Sequence, residues 1–217
     1  MRDNVQLQID RTIFYLYRNF IDPVFPIEPS IVIRKIPYCR YISYDRLAYV
    51  SHTTYQDVIA ACNSLDGCTQ YDIKKDRYLI AINDSDKYSA SKARIRWTSA
   101  HELGHVLIGH FIELLDTDKN PSDIKDMEEE ADYFAASLLA PLPAIRFLRA
   151  KRPADIRDWF GLSQTAAEYR WTDYQRTKID EHMANYFKIF CPRSNIKDNQ
   201  RMNTRRIDIV ADAGFIG

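Results

Sequence analysis

The 217-residue sequence has no run of 18 apolar residues, so no transmembrane helix is expected. Its opening residues, MRDNVQLQID, hold neither an apolar stretch nor a small-residue cleavage site, which argues against a secretory signal. Charge of one sign is also lacking: 30 Lys plus Arg stand against 30 Asp plus Glu. A neutral chain is a poor match for a surface built to bind DNA, RNA or an anionic membrane. The basic stretch 193–206 has no aromatic interleaving and no groove-reading helix, so direct nucleic-acid contact is not expected. Cysteines are few: Cys39, Cys62, Cys68 and Cys191. Their loose spacing, in a chain too large to need disulfides, predicts reduced thiols and a cytoplasmic protein. There is no internal repeat and no low-complexity segment.

What is present is ordinary globular composition, 46% hydrophobic and 28% charged, in a chain long enough to bury a core. The aromatic-rich residues 5–20 predict a helix, and Pro23, Pro26 and Pro29 then predict an extended linker. Residues 30–36, SIVIRKI, read as a strand stopped by Pro37. Residues 38–50 are tyrosine-rich and suit either a strand or a short helix from Asp45. Helical spacing of Val58, Ile59, Cys62 and Leu65 follows a threonine cap. Residues 68–73 and 77–82 read as an antiparallel hairpin turning at Lys74-Lys75-Asp76. Strong helices are expected at 94–112 and 124–139, shorter ones at 143–150, 153–159 and 163–170, and a longer one at 172–189. Apolar residues at 207–216 suggest a docked terminal strand. The division expected is an extension with its linker at 1–29, a main domain at 30–190 and a tail at 191–217.

The segment Ala100-His101-Glu102-Leu103-Gly104-His105 carries the chemistry. His101 and His105 are four residues apart, so in a helix they share a face, about 6 Å apart along the axis. Two imidazoles so placed can reach one zinc ion at about 2.0–2.1 Å. Glu102 sits at the rim of that face, where its carboxylate can serve as general base to a water held by the metal. Gly104 costs about 1 kcal/mol of helix propensity relative to Ala, and its small size allows close approach of another element.

A catalytic zinc needs a third ligand and an open position. The acidic helix Met127-Glu128-Glu129-Glu130-Ala131-Asp132 offers it. Glu128 and Asp132 share the side of Ala131 and Ala135, so Glu128 can face the histidines. Asp132, one turn on, can accept a hydrogen bond from the outer nitrogen of a ligating histidine. Glu129 and Glu130 point sideways and read as a solvated first turn favoured by the helix dipole, a reading that also remains open for Glu128. His110, five residues beyond His105, lies about 140° off the histidine face, which makes it a poor ligand for the same ion and suits it to capping the last turn. His182 reads as a solvated histidine or an oxyanion donor, and His52 as part of a turn.

These residues resemble a known family. Ala100-His101-Glu102-Leu103-Gly104-His105, then Glu128-x-x-Ala131-Asp132-x-Phe134-Ala135-Ala136-x-Leu138-Leu139-x-Pro141, is similar to the ImmA/IrrE zinc metallopeptidases. Phe160-Gly161-Leu162-Ser163, Ala166 or Ala167, Arg170, Asn83 and Arg94-Ile95-Arg96-Trp97 extend the resemblance over roughly 30–171. Trp97-Thr98-Ser99 before the motif and Ala140 before the proline depart from it. The resemblance implies an α+β, zincin-like fold, with a small antiparallel sheet packed on helices that carry the zinc site. It implies Zn²⁺ as cofactor, with His101, His105 and Glu128 as ligands, Glu102 as catalytic base and Asp132 orienting a ligand. It further implies an endopeptidase acting on a partner, a helix-turn-helix repressor, to relieve repression of a mobile element, prophage or stress response. No helix-turn-helix is evident in residues 1–30. The alternative is a zinc-containing protein that docks a repressor or antitoxin without cutting it; oligomeric state is not legible.

Overall fold

In the computed structural model the described residues are 3–113, 121–177, 179 and 181–190. The amphipathic start of the chain forms α1 (Asp3–Asn19), which buries Ile9, Ile13, Leu16 and Tyr17 on one face. In the proline-rich segment after it, Phe25 and Ile27 are buried in the same cluster.

SIVIRKI is helical, as α2 (Pro29–Lys35), and the strand expected at 30–36 is corrected. Pro29 stands in the first turn, where its fixed φ suits a helix and its missing N–H is no loss. Val32, Ile33 and Ile36 then fall on one buried helical face. Burial has overridden the strand preference of their β-branched side chains.

The tyrosine-rich segment supplies both of its expected elements, β1 (Cys39–Ser43) and α3 (Tyr44–Val50). Next comes α4 (Tyr55–Cys62), opened by a reciprocal cap: the Thr54 hydroxyl accepts from the Asp57 N–H, and the Asp57 carboxylate accepts from the Thr54 N–H. The expected hairpin is β2 (Gly67–Asp72) and β3 (Arg77–Ile82), paired antiparallel. β1 joins the other side of β3 in parallel, so the sheet order is β1-β3-β2 and the sheet is mixed, not wholly antiparallel. The α3–α4 segment leaves and re-enters the sheet at one end, where Ser43 and Gly67 both lie opposite Ile82, and β2 then carries the chain back so that β3 runs parallel to β1. Cys62 and Cys68, with Cα atoms 5.6 Å apart across the turn into β2, are paired as a disulfide. The reduced state expected for these two is thereby corrected; Cys39 is a buried free thiol.

Two helices dominate the next part of the chain. α5 (Lys92–Ile108) is capped by the Ser91 hydroxyl and ends at Gly109, whose φ of +93° places it in the left-handed region. The chain restarts as α6 (His110–Glu113), so the helix expected over 94–112 is interrupted. α7 (Pro121–Leu139) packs along α5. Gly104 permits this: a Cβ there would lie 3.0 Å from the Phe134 ring. α8 (Leu142–Leu148), α9 (Pro153–Phe160), α10 (Gln164–Arg176) and α11 (Glu181–Phe190) close the fold. The region read as one helix over 172–189 is divided, because Thr177 at the end of α10 is extended.

Buried side chains tie these layers together. The Tyr17 hydroxyl donates to the Leu138 carbonyl at 2.6 Å, joining α1 to α7. Buried Arg170 donates to the Ala140 carbonyl at 2.7 Å and to the Ser137 hydroxyl at 3.2 Å, satisfying a carbonyl just past the end of α7. Buried Asn83 donates to the Leu65 carbonyl at 2.7 Å, pinning the end of β3. The architecture is α+β, as the sequence predicts. No helix among the described residues is long and apolar enough to cross a membrane. The strand expected at 207–216 and the tail at 191–217 lie outside the described residues.

Candidate metal centre

α5 presents His101 and His105 on one face, one turn apart, with ring centroids separated by 4.7 Å. Their Nε2 atoms lie 3.0 Å from each other. From α7, the Glu128 carboxylate reaches to 3.2 Å of His101 Nε2 and 3.5 Å of His105 Nε2. Donor atoms of the three residues all lie within 4.8 Å of one another. A tetrahedron with metal–ligand bonds of 2.0–2.1 Å has edges of about 3.4 Å. The two Nε2 atoms, with one Glu128 oxygen beside the first and the other Glu128 oxygen beside the second, stand near that edge length, so the three residues can converge on one cation of that size. The Glu128 side chain is 57% exposed, against 16% and 14% for the histidines. The site is therefore anchored at its imidazoles and open on its carboxylate side.

The outer ring nitrogens are also engaged. His101 Nδ1 is 2.9 Å from the Asp132 carboxylate. His105 Nδ1 is 2.8 Å from His110 Nδ1, and His110 Nε2 is 3.1 Å from Glu130. Burial opposes charge on His101, but the Asp132 hydrogen bond and nearby carboxylates outweigh it and hold the ring above the usual histidine value. Burial, with His101 and His110 alongside, pushes His105 down to about 3. A neutral imidazole is the form that ligates a metal.

Glu102 follows His101 on α5 and reaches the sheet. Its carboxylate accepts a hydrogen bond from the Thr69 hydroxyl of β2 at 2.8 Å. Burial raises its carboxyl above the ordinary range, while Thr69 and His101 pull it back. A more basic carboxylate, fixed by one hydrogen bond, suits proton transfer near neutral pH.

The family model for Peptidase_M78, the IrrE N-terminal-like domain, matches residues 63–172. The chain belongs to the IrrE N-terminal-like peptidase family. That span holds β2, β3, the histidine helix and Glu128, so the ImmA/IrrE resemblance read from the motifs is borne out. A search of curated proteins finds no match. The family assignment makes this a metallopeptidase-type protein.

In this IrrE-like peptidase, then, the structure brings His101, His105 and Glu128 together and sets Asp132 against His101. Other expectations are revised. His110 does not cap a continuous helix: Gly109 caps α5, and the kink returns His110 to stand behind His105, 1% exposed. Glu130 is not a solvated first-turn acid but His110's partner. Thr69 carries no sequence signal, and His110 and Glu130 stand where their local pattern does not put them. The legible signal was Gly109, a helix-terminating glycine beside a histidine. His52 occupies a turn with φ of +53°, as expected. The His182 side chain lies outside what the structure describes.

Proposed function

We propose that this protein is a zinc-dependent endopeptidase that cleaves a partner protein, a helix-turn-helix repressor, and so relieves repression of a mobile element, prophage or stress response. His101, His105 and Glu128 would hold the zinc. The observation that carries the reading is the meeting of one donor atom from each, brought by two helices to within 4.8 Å of one another, with Glu102 next to His101 on the same helix. When bound, zinc acidifies its water and polarises the scissile carbonyl. Glu102 takes the proton of the attacking water and delivers it to the leaving amine, with Thr69 holding the carboxylate in place. Asp132 fixes the His101 ring.

The sheet offers a place for substrate. β2 is an edge strand, because order β1-β3-β2 leaves one of its sides unpaired among the described residues. It also packs on α5 and carries Thr69. An extended peptide adding to that edge would run past Glu102, with main-chain hydrogen bonds supplying sequence-tolerant affinity. The repressor assignment rests on the family resemblance.

The test is to incubate the zinc-loaded protein with the repressor encoded beside it and to weigh the products by mass spectrometry. Cleavage at one site, abolished in Glu102→Gln with zinc retained, is the expected result. An intact repressor bound to the protein would favour docking without hydrolysis, and cleavage by Glu102→Gln at the wild-type rate would remove Glu102 as the base.

A further inference from the structure

His110 and Glu130 have no part in the chemistry above, yet their geometry is specific. His110 is almost fully buried, and both of its ring nitrogens are engaged: Nδ1 with His105 Nδ1 at 2.8 Å and Nε2 with Glu130 at 3.1 Å. A buried imidazole left unpaired is costly, so the two contacts define its proton state together.

We infer that Glu130 and His110 form a positioning relay that fixes the tautomer and orientation of His105, the counterpart of what Asp132 does for His101. The inference rests on the metal-site reading above. Its logic is a count of protons. A carboxylate only accepts, so Glu130 requires the His110 proton on Nε2. In the neutral ring, which carries a single proton, His110 Nδ1 is then bare and accepts. The 2.8 Å contact therefore takes its proton from His105 Nδ1. That leaves His105 Nε2 bare, and Nε2 is the atom that faces His101 and Glu128. The reverse arrangement would put a proton on His105 Nε2, inside the donor set, where it would exclude a cation.

The relay is built from the same two helices as the site. α7 supplies Asp132 directly to one imidazole and Glu130, two residues earlier, to the other through His110. His105 lies one turn further along α5 than His101, and an intermediate ring spans the added distance. Gly109 makes the arrangement possible. Its left-handed φ of +93° ends α5 and lets the next residue turn back against His105. A Cβ at Gly109 would meet nothing within 4 Å, so backbone conformation and not space accounts for the glycine.

The test uses full-length protein, with zinc affinity from chelator competition and the ring state of each histidine from ¹⁵N–¹H correlation spectra. Wild type should show His105 protonated at Nδ1 and protected from solvent exchange. His110→Phe fills the space but accepts no hydrogen bond; it should lose that protected proton and bind zinc about 10–100-fold more weakly. His110→Asn, whose amide oxygen can occupy the position of Nδ1, should restore the protected proton and most of the affinity. Glu130→Gln, which keeps an acceptor without the charge, should fall between. Wild-type zinc affinity and an unchanged His105 ring state in His110→Phe would overturn the relay. Failure of the wild type to bind zinc would instead count against the metal-site reading, and the spectra of the metal-free protein would still decide the relay.

Discussion

Gly104 gives the sharpest structural prediction, because opposite effects meet at one atom. Alanine there gains about 1 kcal/mol of helix propensity. Against that, its Cβ would lie 3.0 Å from Phe134 Cδ1 and 3.2 Å from Phe134 Cβ and Cγ. Carbon atoms rest at about 3.5–4.0 Å, so the ring would have to withdraw by about half an ångström. Phe134 is fully buried and has little freedom to do so. Overpacking of this kind costs about 1–3 kcal/mol, which leaves Gly104→Ala destabilised by about 0–2 kcal/mol. Gly104→Val gives back most of the propensity gain and adds two methyl groups, so its loss should reach about 2–3 kcal/mol. For a chain of this size that is a fall in Tm of about 4–12 °C. Metal affinity should fall as well, because α7 carries Glu128 and Phe134 together. Calorimetry of the metal-free protein and chelator competition for zinc measure the two effects separately. Replacing Phe134 with Leu in the same chain should recover part of each loss, a coupling of about 0.5–3 kcal/mol. If Gly104→Val melts and binds zinc like wild type, the close helix approach is not what sets the site.

Three further outcomes rest on named contacts. Thr69→Val removes the hydrogen bond to the Glu102 carboxylate; at about 1.5 kcal/mol for a bond to a charged group, kcat should fall about tenfold with zinc affinity unchanged. Asp66 accepts from Arg94 at 2.5 Å and from the Tyr88 hydroxyl at 2.6 Å, and the Arg94 hydrogen bond foremost holds its carboxyl below the usual range. Its contribution is therefore complete above the ordinary Asp value near 3.9 and is lost as pH falls through the lower folded value. Urea unfolding should show Asp66→Asn less stable than wild type at neutral pH, with the gap closing in strong acid; a gap constant with pH would contradict this. Arg170→Met removes donors from the Ala140 carbonyl and the Ser137 hydroxyl. Each buried group left unpaired costs about 1–3 kcal/mol, and a Tm equal to wild type would refute that accounting.

The site was legible because its signal is short-range. A four-residue spacing fixes which side chains share a helical face wherever that helix packs, and the same rule placed Glu128 and Asp132 on one side of α7. Gly104 also announced the helix contact, since a helix tolerates a mid-helix glycine only for a reason. What failed was continuity. Extending the periodicity of α5 through Gly109 put His110 on the wrong face, and treating Glu130 as solvent-facing came from not knowing what stood opposite it. Thr69 was hidden for another reason: it meets Glu102 across 33 residues, through the packing of β2 on α5. SIVIRKI folds as a helix against its strand-like pattern because burial outweighs β-branched propensity. The mixed sheet is not legible locally because the parallel pair arises from β3 inserting between β1 and β2, and no short-range pattern encodes strand order.

The central claim is that two imidazoles of α5 and one carboxylate of α7 hold a single catalytic zinc. X-ray absorption at the zinc edge, on wild-type protein and on Glu128→Ala, tests it most directly. The account predicts one zinc per chain, bound by two imidazoles and oxygen ligands at about 2.0–2.1 Å, with the carboxylate contribution lost and the affinity reduced in the variant. A wild-type protein without stoichiometric zinc, or a zinc shell unchanged in Glu128→Ala, would contradict it.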